Sequence, residues 1–420
     1  MPKIRWGVNW PEAKRGATPP LLANPRDMQH ITQSPTEPAF VQNPYAFYDR
    51  ARALGAIVHW DEMGMPCALS QAAVSTILRD RRFGRAIPPH LQKPIPAHLE
   101  PFHAVERHSM LELEPPRHTM LRKHVLRAFT SRRIAALAPE IASLSHDLID
   151  HFPKGPFDLL EHFARTIPVV VICRLLGVPE TMKDQLLNWS HAMVAMYQST
   201  RDRTIEDAAA QAAADFAAFL RDYVEKRRVL PADDLITHLI AAEADGEVLG
   251  TDALIATCIL LLNAGHEATV HALGNGAKAL LEAGGPKDWL TPDWIEGTVE
   301  EILRFDPPLH LFTRFAYEPV EVLGHMFEPG DQVALLLGAA GRDPRACDDP
   351  HRFNPARPVK PHQAFGAGLH FCLGAPLARL EMAVALPILF ARCPNLRLSE
   401  KPCYADTYHF HGLARLMVTR

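Results

Sequence analysis

After Pro44, apolar residues recur at three-to-four spacing through "YAFYDRARAL", "TMLRKHVLRAFT", "PEIASLSHDLIDHF", "FARTIPVVVICRLLGV" and "IEDAAAQAAADFAAFLRDYVEKRR". That is the period of helices with one buried face. A longer pattern, "TDALIATCILLLNAGHEATVHALGNGAKALLEAGG", predicts one helix from Asp252 to Ala283, about 48 Å long at 1.5 Å per residue. It is apolar on nearly every side around Leu260 to Leu262, which makes it a central helix. Thr251 or Asp252 is expected to cap its start, and Gly284 and Gly285 to stop it. Strand patterns are fewer and shorter: "AIVHWDEMGMPCALS" reads as a hairpin, and "FEPGDQVALLLGAA" and "ARLMVT" as strands. The expected architecture is mainly α with small β-sheets, an α+β body in which one sheet is assembled from distant parts of the chain.

No composition shift or linker divides the chain, so residues 1–420 read as a single domain, with 1–43 an irregular, proline-rich lead segment. The 37 prolines are spread along the chain, and no repeat signals a solenoid. Lys plus Arg (44) nearly balance Asp plus Glu (48), so no electrostatic reason favours nucleic acid or an anionic membrane. The N-terminal charges have no apolar run behind them, and "ALIATCILLL" is about half of the ~20 residues a bilayer span takes. The seven cysteines are scattered, with no C-x-x-C pair, which fits a reducing cytoplasm.

One cysteine has an unusual setting. Cys372 lies in "AFGAGLHFCLGAP", just before the helical pattern "LGAPLARLEMAVALPILFARC". A helix N-terminus stabilises negative charge, so the position favours a thiolate. Gly366, Gly368 and Gly374 are expected to leave room for a flat ligand and to aim N–H groups at the sulfur.

"FGAGLHFCLG", Phe365 to Gly374, matches every fixed position of the haem-binding loop F-G-x-G-x-H-x-C-x-G, and the chain on this ground resembles the cytochrome P450 family. Four further segments occur in that family's order. "EILR" carries Glu301 and Arg304, which with Arg357 of "RFNPAR" resemble a structural lock behind the loop. "PPRHTMLRKHVLRAFT" carries His118 and Arg122, which with Arg314 and His370 resemble the residues that bind the haem propionates. Buried carboxylates need such cations and N–H donors. "AGHEATV" resembles the oxygen-binding element A-G-x-[D/E]-T-T, in which the helix locally widens, with Ala264 and Gly265 leaving space over the iron and Glu267 as the proton-moving acid. Ala268 stands where the family has a threonine, and Thr269 is rotated about 100° off that face. "GAAGRDP" resembles the A-N-R-D-P segment, with Gly341 a mild departure.

The resemblance implies a P450-like fold with the long helix over the haem. It also implies haem b (iron protoporphyrin IX) with Cys372 as iron ligand, cofactor contacts from Phe365, Gly366, Gly374 and Ala264, and a haem-thiolate monooxygenase acting on a small organic substrate. Competing readings are a peroxide-driven peroxygenase and a non-catalytic haem sensor or ligand carrier. No flavin or iron–sulfur module follows the haem loop, so electrons are expected from a ferredoxin and its reductase, docked on a basic patch of Arg122, Lys123, Arg127, Arg132, Arg133, Lys360 and Arg379. With no hydroxyl at 268, the expected proton path uses ordered water together with a polar group of the substrate itself. Specificity is expected in 85–113, 175–229, the long helix and 408–411, and the substrate itself is not readable from these patterns.

Overall fold

The computed structural model describes residues 28–197, 201–244 and 250–420. Helices dominate, as the periodicity predicts, and the long helix runs Thr251–Glu282. Its first residues are not its cap: Gly250 takes that place with φ +70, and Thr251 and Asp252 already lie in the helix. Asp252 instead pairs across to Arg221 at 2.5 Å, and its charge also suits the positive end of the helix. At the other end Gly284 and Gly285 both take positive φ, 85° and 96°, which ends the helix where the sequence predicts. By length and composition this helix is apolar enough to span a membrane, but most of it is buried inside the fold.

The expected hairpin is β2 (Ile57–Trp60) against β3 (Met65–Ala68), and it joins a six-stranded sheet built from distant segments. The order is β1 (His30–Ile31), β2, β3, β9 (Gln332–Leu336), β6 (Leu311–Ala316) and β4 (Phe83–Gly84). β5 (Phe157–Asp158), β10 (Arg397–Leu398) and β13 (Met417–Thr419) form a second sheet, and β11 (Cys403–Tyr404) pairs with β12 (Leu413–Arg415). β7 (Val320–Val322) and β8 (His325–Phe327) form a hairpin with Val322 opposite His325. Its two loop residues, Leu323 (φ 50) and Gly324 (φ 83), both take positive φ, as a type I′ turn demands.

The lead segment is more ordered than its prolines suggest. Residues 1–27 lie outside the described residues, but β1 pairs in parallel with β2 and Pro38–Gln42 is a short helix. A further difference concerns helix widening. The long helix is continuous α-helix through "AGHEATV", while the wider π-type turn falls at Leu160–Ala164, just before the helix Thr166–Leu176.

Three layers of apolar packing matter for the site. The large helical core includes Leu254, Ile255, Ile259, Leu262, Val270 and Leu273 of the long helix. A smaller one lies on the six-stranded sheet, with Trp60, Tyr48 and Leu336 buried in it. The Cys372 loop runs between the large core, which holds Ala364, and a third cluster that holds Leu78 and Ala367, with Phe312 packed against it.

Candidate active site

The loop that carries Cys372 is shaped by glycines at specific places. Gly366 and Gly368 have φ of +67° and +68°, where a Cβ is strained. A Cβ on Gly368 would also lie 2.2 Å from the Leu78 carbonyl oxygen and 3.1 Å from the Arg79 Cα, both backbone atoms. At Gly366 the Phe312 ring would lie at 3.2 Å. These glycines let the loop dock on the neighbouring chain, where the sequence pattern suggested room for a ligand. Gly374 is different: its φ is −78° and a Cβ would meet only the Cys372 Sγ at 3.9 Å.

Gly374 is the N-cap of the helix Ala375–Arg392, so Cys372 sits just ahead of that helix's free N–H groups. The Cys372 N–H donates to the Phe365 carbonyl at 3.0 Å, closing the loop. Burial holds the thiol above its ordinary value; the backbone N–H groups of Gly374 and Ala375 and the guanidinium groups of Arg122 and Arg379 act in the opposite direction. The surroundings therefore set donors that favour a bound thiolate around a half-buried sulfur.

Behind the loop, Glu301 and Arg304 are 4% and 8% exposed and bonded through two parallel contacts of 2.7 and 2.8 Å. Arg304 also donates to the carbonyls of Gly341 (2.9 Å) and Pro350 (3.0 Å), and Glu301 accepts from the Asn354 N–H at 2.9 Å. Arg357 Nε lies 3.5 Å from Glu301, and its guanidinium donates to the Asp349 carbonyl at 3.1 Å. Gly341 is more than a mild variation here, because a Cβ on it would stand 2.6 Å from the Arg304 carbonyl oxygen.

A second tie was missed in the sequence. Glu300, the residue before Glu301, holds Arg379 of the Cys372 helix at 2.9 Å and His362 at 3.1 Å. Despite burial, these partners hold its carboxyl down at about 2. Arg379 also lies over the Phe365 ring, 4.5 Å from its centroid. A doubled glutamate on a helix reads as surface charge; the signal lay in the helical rotation, which sends adjacent residues to different partners.

On the opposite edge of the loop, three of the four expected propionate residues converge. The His118 and His370 rings are 4.4 Å apart, and His370 Nε2 lies 3.2 Å from Glu114. His118 is 1% exposed, and its Nδ1 is buried without a hydrogen-bond partner. Burial, then the neighbouring His370 and Arg122, push its imidazole down to about 4. Arg314, 3% exposed on β6, donates to the Thr313 carbonyl at 2.8 Å, and no carboxylate among the described residues lies within ion-pairing distance of it. Burial pulls its pKa down to about 9. A buried cation with no carboxylate partner among the described residues and a buried imidazole nitrogen with no hydrogen bond make a cradle that fits an anionic group. Arg122, whose charge also reaches His118, donates to the Phe371 carbonyl at 2.7 Å, bracing the residue before Cys372.

The long helix supplies the facing wall. Ala264 is exposed and Ala268 half-buried, although the helix around them is largely buried, and their four-residue spacing puts both on one face. Gly265 does not add to that opening, since a Cβ there would touch Ile172 at 3.2 Å. The Thr269 hydroxyl donates to the Gly265 carbonyl at 3.0 Å, bound within its own helix. Glu267 is half-buried, raised by burial, with Oε1 3.9 Å from His271 Nε2. His271 was not foreseen. Its Nδ1 is buried without a partner, packed where a Cβ on Gly412 would lie 1.9 Å away.

The family model for Cytochrome P450 matches residues 294–403. The chain is 35% identical over 398 residues to the cytochrome P450 monooxygenase PikC of Streptomyces venezuelae, covering 92% of this chain and 90% of that one. It is 40% identical over 292 residues to 6-deoxyerythronolide B hydroxylase of Saccharopolyspora erythraea, covering 68% and 70%. Among solved structures it is similar to P450BioI in complex with an acyl carrier protein bearing hexadec-9Z-enoic acid, with TM-score 0.85, 33% identity and coverage of 91% and 99%.

Proposed function

The chain belongs to the cytochrome P450 family and is an oxidoreductase of the haem-thiolate monooxygenase class, and from that premise we propose that it carries haem b on Cys372 and oxidises a small organic substrate with electrons from a ferredoxin and its reductase. The observation that carries the reading is the charge arrangement around the Cys372 loop. Beside His370, which is tied to Glu114, the buried guanidinium of Arg314 has no carboxylate in ion-pairing distance among the described residues and His118 Nδ1 has no hydrogen-bond partner, and two propionates would supply what they lack. Haem, when bound there, supplies dioxygen activation and oxygen-atom transfer.

The chain's own residues do the rest. Gly374, Ala375, Arg122 and Arg379 stabilise the sulfur's negative charge, and the Glu301 and Glu300 ties hold the loop against the helix Ile295–Phe305. Ala264 and Ala268 keep the facing wall open. Glu267, next to Ala268, and His271, one turn further on, lie 3.9 Å apart on the facing wall, and with the Thr269 hydroxyl bonded to its own helix, water ordered by a polar group of the substrate would be the proton donor nearest the substrate. Leu126, Phe371, Val359 and Arg127 are exposed around the loop, a mixed apolar and basic surface that suits an acidic ferredoxin, while Arg379 and Arg133 are already engaged with Glu300 and Asp233. Single-domain organisation and a cytoplasmic location complete the proposal; all the described cysteines are free thiols, as a reducing compartment keeps them.

The test is the absorbance spectrum of the reduced, carbon-monoxide-bound protein. Wild type should show the thiolate-type band and Cys372→Ser should lose it; persistence of that band in the variant would remove Cys372 from the site. Turnover with a surrogate ferredoxin and reductase, compared with hydrogen peroxide alone, separates the monooxygenase from the peroxygenase.

A further inference from the structure

On the far side of the six-stranded sheet, the backbone brings together two histidines and an aspartate. β1 lies parallel to β2 with His30 directly opposite His59. Bonds from the His59 N–H to the Gln29 carbonyl (2.9 Å) and from the Asp61 N–H to the Ile31 carbonyl (3.0 Å) fix the register on either side. Along β2, Val58 and Trp60 are buried while His59 and Asp61, two residues apart, share the outward face. The His30 and His59 ring centroids are 4.6 Å apart, and His30 Nδ1 is 2.7 Å from Asp61 Oδ1. One ligand-type atom from each of His30, His59 and Asp61 lies within 4.8 Å of the others.

We propose that His30, His59 and Asp61 form a site for a divalent transition cation of the zinc class, which clips the N-terminal strand to the sheet. Arms of 2.0–2.1 Å to a tetrahedral zinc set ligand atoms about 3.3 Å apart. His30 Nδ1 and Asp61 Oδ1 lie 2.7 Å apart and all three donor atoms lie within 4.8 Å of one another, close to that spacing. The donor set is the borderline one that zinc, nickel and copper(II) prefer. A hydrogen bond between His30 and Asp61 explains two of these residues and leaves the second imidazole without a purpose. Thr32 Oγ1, 3.4 Å from Asp61 Oδ2, supports the carboxylate from outside, while Glu62 is committed to the Gln33 N–H at 2.8 Å. A cation here binds only when residue 30 is docked on residues 59 and 61, so it favours the docked strand by mass action.

The experiment titrates Zn²⁺ into the full-length, haem-containing protein, prepared without a histidine tag, in competition with a chromophoric chelator. Wild type should take up one ion that His59→Asn and Asp61→Asn each weaken by roughly tenfold or more, at least the cost of losing an outer-shell partner. Asp61→Asn keeps an acceptor for His30, so a contact that is merely a hydrogen bond would survive it. Cleavage of the N-terminal region by a protease should be slowed by Zn²⁺ in wild type and not in either variant, with the haem spectrum unchanged throughout. Equal Zn²⁺ uptake by wild type and both variants, or no competing uptake by wild type, would overturn the site.

Discussion

Glu300→Gln isolates the tie between the helix Ile295–Phe305 and the helix that follows Cys372, without touching either partner of the neighbouring Glu301–Arg304 pair. The carboxyl sits at about 2 against an ordinary 4.5, held down by the Arg379 and His362 contacts although burial acts the other way. At 1.36 kcal/mol per unit that displacement is about 3 kcal/mol, and with the side chain one-fifth exposed a figure of about 2–3 kcal/mol is the fair expectation. The glutamine keeps an acceptor and the shape while losing the charge. With haem held on Cys372 as proposed, the variant should lose it about 30- to 150-fold faster at neutral pH, the same energies at 1.36 kcal/mol per decade. The folded-state pKa is depressed, so the contribution is fully present above 4.5 and fades as pH falls toward 2; the gap between variant and wild type should narrow in that window. Transfer of haem to an excess of apomyoglobin, followed by absorbance across the pH range, measures both. Equal rates at pH 7, or a gap that stays constant into acid, would refute the role given to Glu300.

Glu301→Ala should fail to yield haem-containing protein, because Arg304 is left charged and buried at a cost of roughly 3–5 kcal/mol; purification yield and haem content check it. Gly368→Ala combines a left-handed φ with a backbone clash and should destabilise the loop by more than about 2 kcal/mol, seen as a lower thermal midpoint of the haem-bound form. Ala268→Thr should raise product formed per electron donor consumed for apolar substrate analogues and crowd the substrate that carries its own polar group; equal, high coupling of both substrates in wild type would rule out substrate assistance.

The parts of the site legible in the sequence are those where one short segment carries several constraints at once. The Cys372 loop, the Glu301–Arg304 spacing and the long apolar helix each declare themselves within a few turns of chain. What escaped depends on pairing at a distance. β1 and β4 are two residues each, too short to show any alternation, and are strands only because β2 and β6 present edges to them. Glu300 sits beside Glu301, but its partner Arg379 lies far along the chain, so no local pattern marks it. Gly366 and Gly368 stand out in the loop's sequence, but Leu78 and Phe312, which they make way for, belong to other segments. The helix widening fell at Leu160–Ala164 rather than in the long helix, and the Thr269 hydroxyl is bonded within its own helix turn.

The pairing of β6 with β9 sets Arg314 opposite Val333, and β9 continues directly into the helix Leu337–Gly341, whose last carbonyl is bound by Arg304. Two separate holds on the haem loop's surroundings thus hang from one strand register. A single inserted or deleted residue in β6 would turn Arg314 to the opposite face of the sheet, and one in β9 would shift Gly341 against Arg304. Drift in length is therefore closed to these two strands, and it must be absorbed between them. The β7–β8 hairpin is where it can go: its tip, Leu323–Gly324, is exposed, and a Cβ on Gly324 meets nothing. For anyone fusing a reductase or a reporter into this chain internally, that tip is the point of entry the register leaves open.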